Sequence, residues 1–258
     1  MKDQRPHPTF AVITVWVAAM VGLCVAVPSA IPQAVAPARR ILFIGNSLTT
    51  ANDLPARLQA LASSVGDHLE CRAVALPGFS LEDHWGQGDA KRAIGEGGWS
   101  IVILQQGPSS LLESRAVLVD YTRRFATEAR RIGARTALYM VWPSRDRLQY
   151  FDDVSASYAA AAHDVGGMLL PVGEAWRAAW RRDATLNLYG PDGFHPTQLA
   201  TQLATLVIYQ AVTGKSPIGS GGTSAPPSPL WPHLGLSPSQ GSLLEQAATE
   251  ANARFGFR

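Results

Sequence analysis

The chain has 258 residues, of which 47% are hydrophobic and 16% charged, and it carries a formal net charge of +2. That length and balance fit one α/β domain with a full core, or two small ones, and exclude an intrinsically disordered polymer. With so small a positive excess, and no basic stripe interleaved with aromatics, nucleic acid is not an expected partner.

Lys2 and Arg5 precede an apolar run from Phe10 to Val27, and small residues and prolines follow up to Ala38. Basic, then apolar, then small is the order of a secretory signal. Residues 1–38 are therefore expected to form a signal peptide, cleaved between Ser29 and Ala38. The other reading is an N-terminal membrane anchor, because the run is about the minimum length that spans a bilayer. Either predicts export: periplasmic, secreted, or membrane-attached and facing outward. Cys24 would suit a lipoprotein, but Leu23 before it is too large for that processing. Cys24 and Cys71 are the only cysteines, so a cleaved chain keeps one thiol and no internal disulfide. Cys71 opens an apolar stretch and reads as a small core hydrophobe.

Residues 39–258 read as a single domain. Ile41–Gly45 is a buried strand; Asn52 then looks like a helix cap, with Leu54, Leu58, Leu61 and Val65 on one face and Gly66 closing the end. Further strands are expected near Cys71–Leu76, Ile101–Gln105, Thr136–Trp142 and Met168–Val172. Helices are expected at Ala116–Ile132, around Val154–Val165 and at Thr197–Val212. Arg123, Arg124, Arg130 and Arg131 fit a solvated helix face. Residues 216–240 are rich in Pro, Gly and Ser and read as an extended loop. A last helix over 241–254, centred on Leu243–Ala251, is capped near Ser237-Pro238.

Five apolar strands separated by helices imply βαβ units and a parallel sheet covered on both faces. Ligands bind such sheets at the carboxyl ends of the strands. Chemistry is therefore sought just after residues 45, 76, 105, 142 and 172.

The first strand ends in Gly45-Asn46-Ser47-Leu48-Thr49. A serine there lies near backbone N–H groups at the sheet's carboxyl edge, but its hydroxyl is a poor nucleophile without a neighbouring base. Taken alone, it reads as easily as a turn or cap residue. The base is suggested by Asp192-Gly193-Phe194-His195-Pro196. Two intervening residues let one loop present a carboxylate to one imidazole nitrogen and leave the other nitrogen for the serine. Pro196 fixes the backbone, and Thr197 can cap the helix beyond.

Together these segments resemble the SGNH, or GDSL-like, hydrolase superfamily over residues 40–215. Ile41-Leu42-Phe43-Ile44-Gly45-Asn46-Ser47-Leu48-Thr49 is similar to its nucleophile block, with Asn46 where many members have Asp. Ala75-Leu76-Pro77-Gly78-Phe79-Ser80-Leu81 resembles the second block, and Asp192-x-x-His195 the last. The resemblance implies a three-layer α/β/α, flavodoxin-like fold with a sheet of about five parallel strands. It further implies a Ser-His-Asp mechanism using Ser47, His195 and Asp192, without metal or cofactor. The oxyanion hole would draw on the N–H groups of Ser47 and Gly78. The family's third block supplies an Asn side chain to that hole; here the strand ends Leu104-Gln105-Gln106-Gly107-Pro108, so a glutamine amide is expected to substitute. Gln105, at the strand end, is favoured over Gln106.

His84 and Trp85, after the second block, are weaker candidates for the substrate pocket. So is Trp142, and Glu174 and Trp176 lie on the same edge. His68, His163 and His233 have no companions at metal-ligand spacing. The resulting expectation is an exported serine ester hydrolase acting on a small-molecule or carbohydrate ester, with O-acetylated sugars among the candidates. An envelope acyltransferase with the same triad, and a silent glycan- or partner-binding protein, are the alternatives. An α/β-hydrolase is disfavoured because the Gly-x-Ser-x-Gly elbow is missing.

Overall fold

A computed structural model describes Met1 and residues 38–216, 231 and 234–256. The apolar run Phe10–Val27, and most of the expected 216–240 loop, lie outside the described residues. Of the chain's two compact units, Met1–Val35 and Ala36–Arg258, the second carries the fold.

Its centre is a parallel sheet of β1 (Arg39–Gly45), β2 (Leu69–Ala75), β3 (Ile101–Leu104), β4 (Arg135–Tyr139) and β5 (Met168–Leu170), in the order β2-β1-β3-β4-β5. Ile41–Ile44 and Ile101–Leu104 are wholly buried, as unbroken apolar strands must be when helices cover both faces. Connecting helices are α1 (Ser47–Thr50), α2 (Leu54–Ser64), α3 (Leu81–Gln87), α4 (Asp89–Gly95), α5 (Leu112–Arg131), α6 (Phe151–Asp164), α7 (Val172–Arg182), α8 (Gln198–Thr213) and α9 (Pro238–Arg254). One layer joins α2, α7, α8 and α9, the other α3 to α6, giving a three-layer α/β/α fold. Strand order reverses between β1 and β3, and the crevice at their carboxyl ends is where such sheets bind ligands.

The five strands stand where the sequence places them, with shifted ends. The fifth stops at Leu170 rather than Val172, because Pro171 cannot donate to the ladder and instead precedes α7. Helix α7 packs so closely that a Cβ on Gly173 would strike the Val141 carbonyl. Helices α3, α4 and α7 were not foreseen. Asn52 does not cap α2: its φ is +51°, and its amide points elsewhere. Cys71 sits on edge strand β2 and is half-buried rather than part of the core, yet burial still pushes its thiol up to about 12, leaving it an inert neutral group.

Helix α9 starts as its sequence suggests. The Ser237 hydroxyl accepts from the Gln240 N–H while the Gln240 side chain accepts from the Ser237 N–H, and Pro238 occupies the first turn. Glu250 binds Arg181 and Arg182 of α7 at 2.6 and 2.7 Å. Gly241 leaves room for the wholly buried Trp231.

Candidate active site

β1 delivers Ser47 to the sheet's carboxyl edge. Asn46 has extended backbone, and its side-chain oxygen accepts from the Leu48 N–H at 3.1 Å, capping the turn that begins with Ser47. Gly45 is required by packing: a Cβ there would fall inside contact distance of Thr49 Oγ1 and Gln105 Oε1. Ser47 itself is half-buried.

The Ser47 hydroxyl lies 2.9 Å from His195 Nε2, and His195 Nδ1 lies 2.5 Å from Asp192 Oδ2. Asp192 Oδ1 also accepts from the Phe194 and His195 N–H groups, each at 3.0 Å. The His195 bond first, and those two N–H groups next, hold the Asp192 carboxyl down to about 2. A carboxylate on Nδ1 fixes that nitrogen as the donor and leaves the Nε2 lone pair facing the serine. The imidazole and carboxylate side chains are 41% and 51% exposed, so the site is open to solvent.

Four elements strap the His195 loop. Trp142 Nε1 donates to the Phe194 carbonyl at 3.0 Å, and the Arg145 N–H to the Gly193 carbonyl at 2.8 Å. Gly190 N–H donates to the His195 carbonyl at 2.7 Å, and the Asn52 amide donates to the Pro196 carbonyl and Thr201 Oγ1, both at 2.9 Å. Asn52 therefore ties the Ser47 side of the crevice to the His195 side. No sequence signal pointed to this role; its left-handed φ is what aims the side chain there.

Four expectations are corrected. Neither glutamine is free to serve an oxyanion. Gln105 is wholly buried; its amide nitrogen donates to Asn46 Oδ1 at 2.9 Å and the Gln106 carbonyl at 2.7 Å, which uses both hydrogens. Gln106 Nε2 donates to Ser109 Oγ at 2.8 Å and the Ser114 carbonyl at 3.3 Å. Neither His84 nor Trp142 can line an open pocket, since both are wholly buried. His84 donates to the Gly45 carbonyl at 2.6 Å, and burial lowers its pKa and keeps it neutral. Trp142 stacks on Trp176, centroids 3.8 Å apart. Trp85 is half-buried against Phe125, and Glu174 is buried against Arg177. Gly78 has φ +76° in an exposed turn. Among the described residues neither the Gly78 nor the Ser47 N–H donates to another group. No three His, Cys, Asp or Glu side chains among those residues converge as a metal site.

No family model and no curated protein matches the chain. Solved structures do. A protein from Slackia heliotrinireducens assigned to the SGNH hydrolases is 28% identical, with TM-score 0.60, over 68% of this chain and 100% of that one. The chain has the three-layer fold of the SGNH hydrolases. A DUF4886 family protein from Bacteroides uniformis shares its fold at TM-score 0.69 and 18% identity, over 84% of this chain and 96% of that one. An acetyl-xylooligosaccharide esterase from a Geobacillus species shares the fold at TM-score 0.52 and 13% identity, over 64% of this chain and 89% of that one. Against this SGNH-like frame, Gln105 stands at the end of the third strand and is turned inward.

Proposed function

We propose that the chain is an exported serine ester hydrolase that works through an acyl-enzyme on Ser47. The observation that carries this reading is the line of Ser47 Oγ, His195 and Asp192 at 2.9 and 2.5 Å. The serine oxygen attacks the ester carbonyl carbon while its proton passes to His195 Nε2. The tetrahedral oxyanion is met by the Ser47 and Gly78 N–H groups. Its collapse expels the alcohol, which takes the proton back from Nε2. Water then repeats the sequence against the acyl-enzyme, releasing the acid and restoring the serine. Asp192 orients the ring and stabilises the imidazolium without taking its proton.

For the substrate, we favour O-acyl, and in particular O-acetyl, groups on carbohydrate. The solvent-open imidazole admits a bulky alcohol, and the fold is shared with an acetyl-xylooligosaccharide esterase. Export rests on Lys2, Arg5 and the run Phe10–Val27.

The test is labelling with a fluorophosphonate, which reacts with an activated serine, beside hydrolysis of acetylated xylo-oligosaccharides and of aryl esters of increasing acyl length. The wild-type chain should label at Ser47 and cleave acetyl esters fastest; Ser47→Ala should do neither. An unlabelled wild-type chain would remove the hydrolase reading and leave the glycan-binding alternative.

A further inference from the structure

We infer that His84 and Gln105 form a pair of buried positioning residues that grip a single peptide unit, Gly45–Asn46, from opposite sides and so set the aim of Ser47. This rests on the serine-hydrolase reading above and deepens it.

The two bonds converge on one planar group. The carbonyl oxygen of Gly45 accepts from His84 Nε2 at 2.6 Å and from the Leu76 N–H at 3.2 Å. The N–H of the same peptide, on Asn46, donates to Gln105 Oε1 at 2.9 Å. A peptide plane held at both its oxygen and its hydrogen cannot rotate without breaking one bond or the other. The next residue is Ser47, whose N–H and Oγ directions follow from that plane.

Each grip is itself fixed. Gln105 Oε1 takes a second hydrogen from Thr49 Oγ1 at 2.7 Å, and its amide nitrogen is spent on Asn46 Oδ1 and the Gln106 carbonyl. Asn46 Nδ2 donates in turn to the Phe79 carbonyl at 3.0 Å, which ties the Gly78 turn to the same lock. An aspartate at 46 would present an acceptor to that carbonyl. His84 is wholly buried, and among the described residues its Nδ1 has no partner. The ring's one hydrogen bond among the described residues thus goes to the strand that carries Ser47, and the ring is fixed as the Nε2–H tautomer. Burial of an unpartnered ring nitrogen is costly, which fits a side chain retained for where it holds the backbone. His84 comes from α3, Gln105 from the exit of β3, and the gripped peptide from β1. The lock therefore joins two strands of the sheet and one helix that covers it at the point where Ser47 emerges.

The prediction is that loosening either grip lowers kcat and leaves KM alone, because a small displacement of a nucleophile costs roughly a hundredfold in rate without altering ground-state binding. His84→Phe and Gln105→Met should each lower kcat by about ten- to a hundredfold, with KM for an aryl acetate within threefold of wild type. The fluorophosphonate labelling rate should fall in parallel. Because both grips hold one peptide, the double variant should lose less than the product of the single losses. His84→Gln, whose amide can still donate to the Gly45 carbonyl, should recover activity to within about fivefold of wild type.

A crystal structure of the unaltered chain with a phosphonate on Ser47 supplies a check that needs no variant. The phosphonyl oxygen should lie within about 3.2 Å of the Ser47 and Gly78 N–H groups, with Gln105 Nε2 still on Asn46. Contact between Gln105 Nε2 and that oxygen would overturn the assignment and make Gln105 an oxyanion donor. Unchanged kcat in His84→Phe, raised KM at constant kcat, or a folded His84→Gln as slow as His84→Phe would overturn it for His84. A wild-type chain that fails to label would instead remove the hydrolase reading itself.

Discussion

At the scale of single residues, the structure brings together side chains nearly 150 positions apart. Ser47 and His195 were each legible as sheet-edge residues, one after a strand and one before a helix with a carboxylate at fixed spacing. The direction of neighbouring side chains was not legible. His84, Gln105 and Trp142 all lie close to the crevice in the chain trace, yet each turns inward to hold backbone that carries the site. Sequence position gives the edge on which a residue stands; it does not give the side to which its χ angles send it. If Ser47, His195 and Asp192 act as one unit, their losses will not add. Ser47→Ala and His195→Ala should each remove nearly all acetyl-ester turnover, and the double variant should be scarcely slower than either. Asp192→Ala should be milder. Steady-state kinetics on an aryl acetate checks this; losses that multiply would mean the three side chains act independently.

At the scale of elements, strand interiors were legible and their ends were not. Continuous apolar runs mark a doubly covered strand but do not say where it stops, which is why β5 ends two residues early and α7 went unseen. Helices α3 and α4 are seven residues each, about two turns, so they show too little periodicity to register. The β1 exit is where an element and the site meet. Gly45→Ala should destabilise the fold by about 1–3 kcal/mol, since the added methyl overpacks Thr49 and Gln105; denaturant melts measure it, and a silent substitution would contradict the packing described. The α9–α7 junction carries its own pH signature. Arg182 first and then Arg181 hold Glu250 down to about 2, against an ordinary 4.5. A depressed carboxyl contributes stability above its unfolded value, and that contribution fades as pH falls through the folded one. Glu250→Gln should therefore lower Tm by roughly 2–4 °C at neutral pH. The gap to wild type should close between about pH 4.5 and 2. An equal gap at both ends would show the loss to be packing rather than charge.

At the scale of the whole molecule, the sheet, its parallel sense and its three layers could be anticipated from alternation alone, because βαβ connectivity leaves few ways to bury five apolar strands. The sequence also predicts a separable leader, and the unit Ala36–Arg258 is compact by itself. Expressed in a bacterium, the intact chain should reach the periplasm or the membrane fraction, whereas a chain beginning at residue 39 should stay in the cytoplasm. Cell fractionation decides the matter, and an intact chain retained in the cytoplasm would sink the export proposal.

The exposure of the His195–Asp192 pair also bears on competition for the acyl group. In the proposed mechanism, an imidazole in contact with bulk water has the solvent, at its full concentration, as a nucleophile beside every acyl-enzyme it helps to form. Transfer to a sugar would then require the acceptor to be held against Ser47 tightly enough to outrun that concentration. Product partitioning measures this directly: with a soluble sugar present at millimolar levels, nearly every acyl group leaving the serine should appear as free acid.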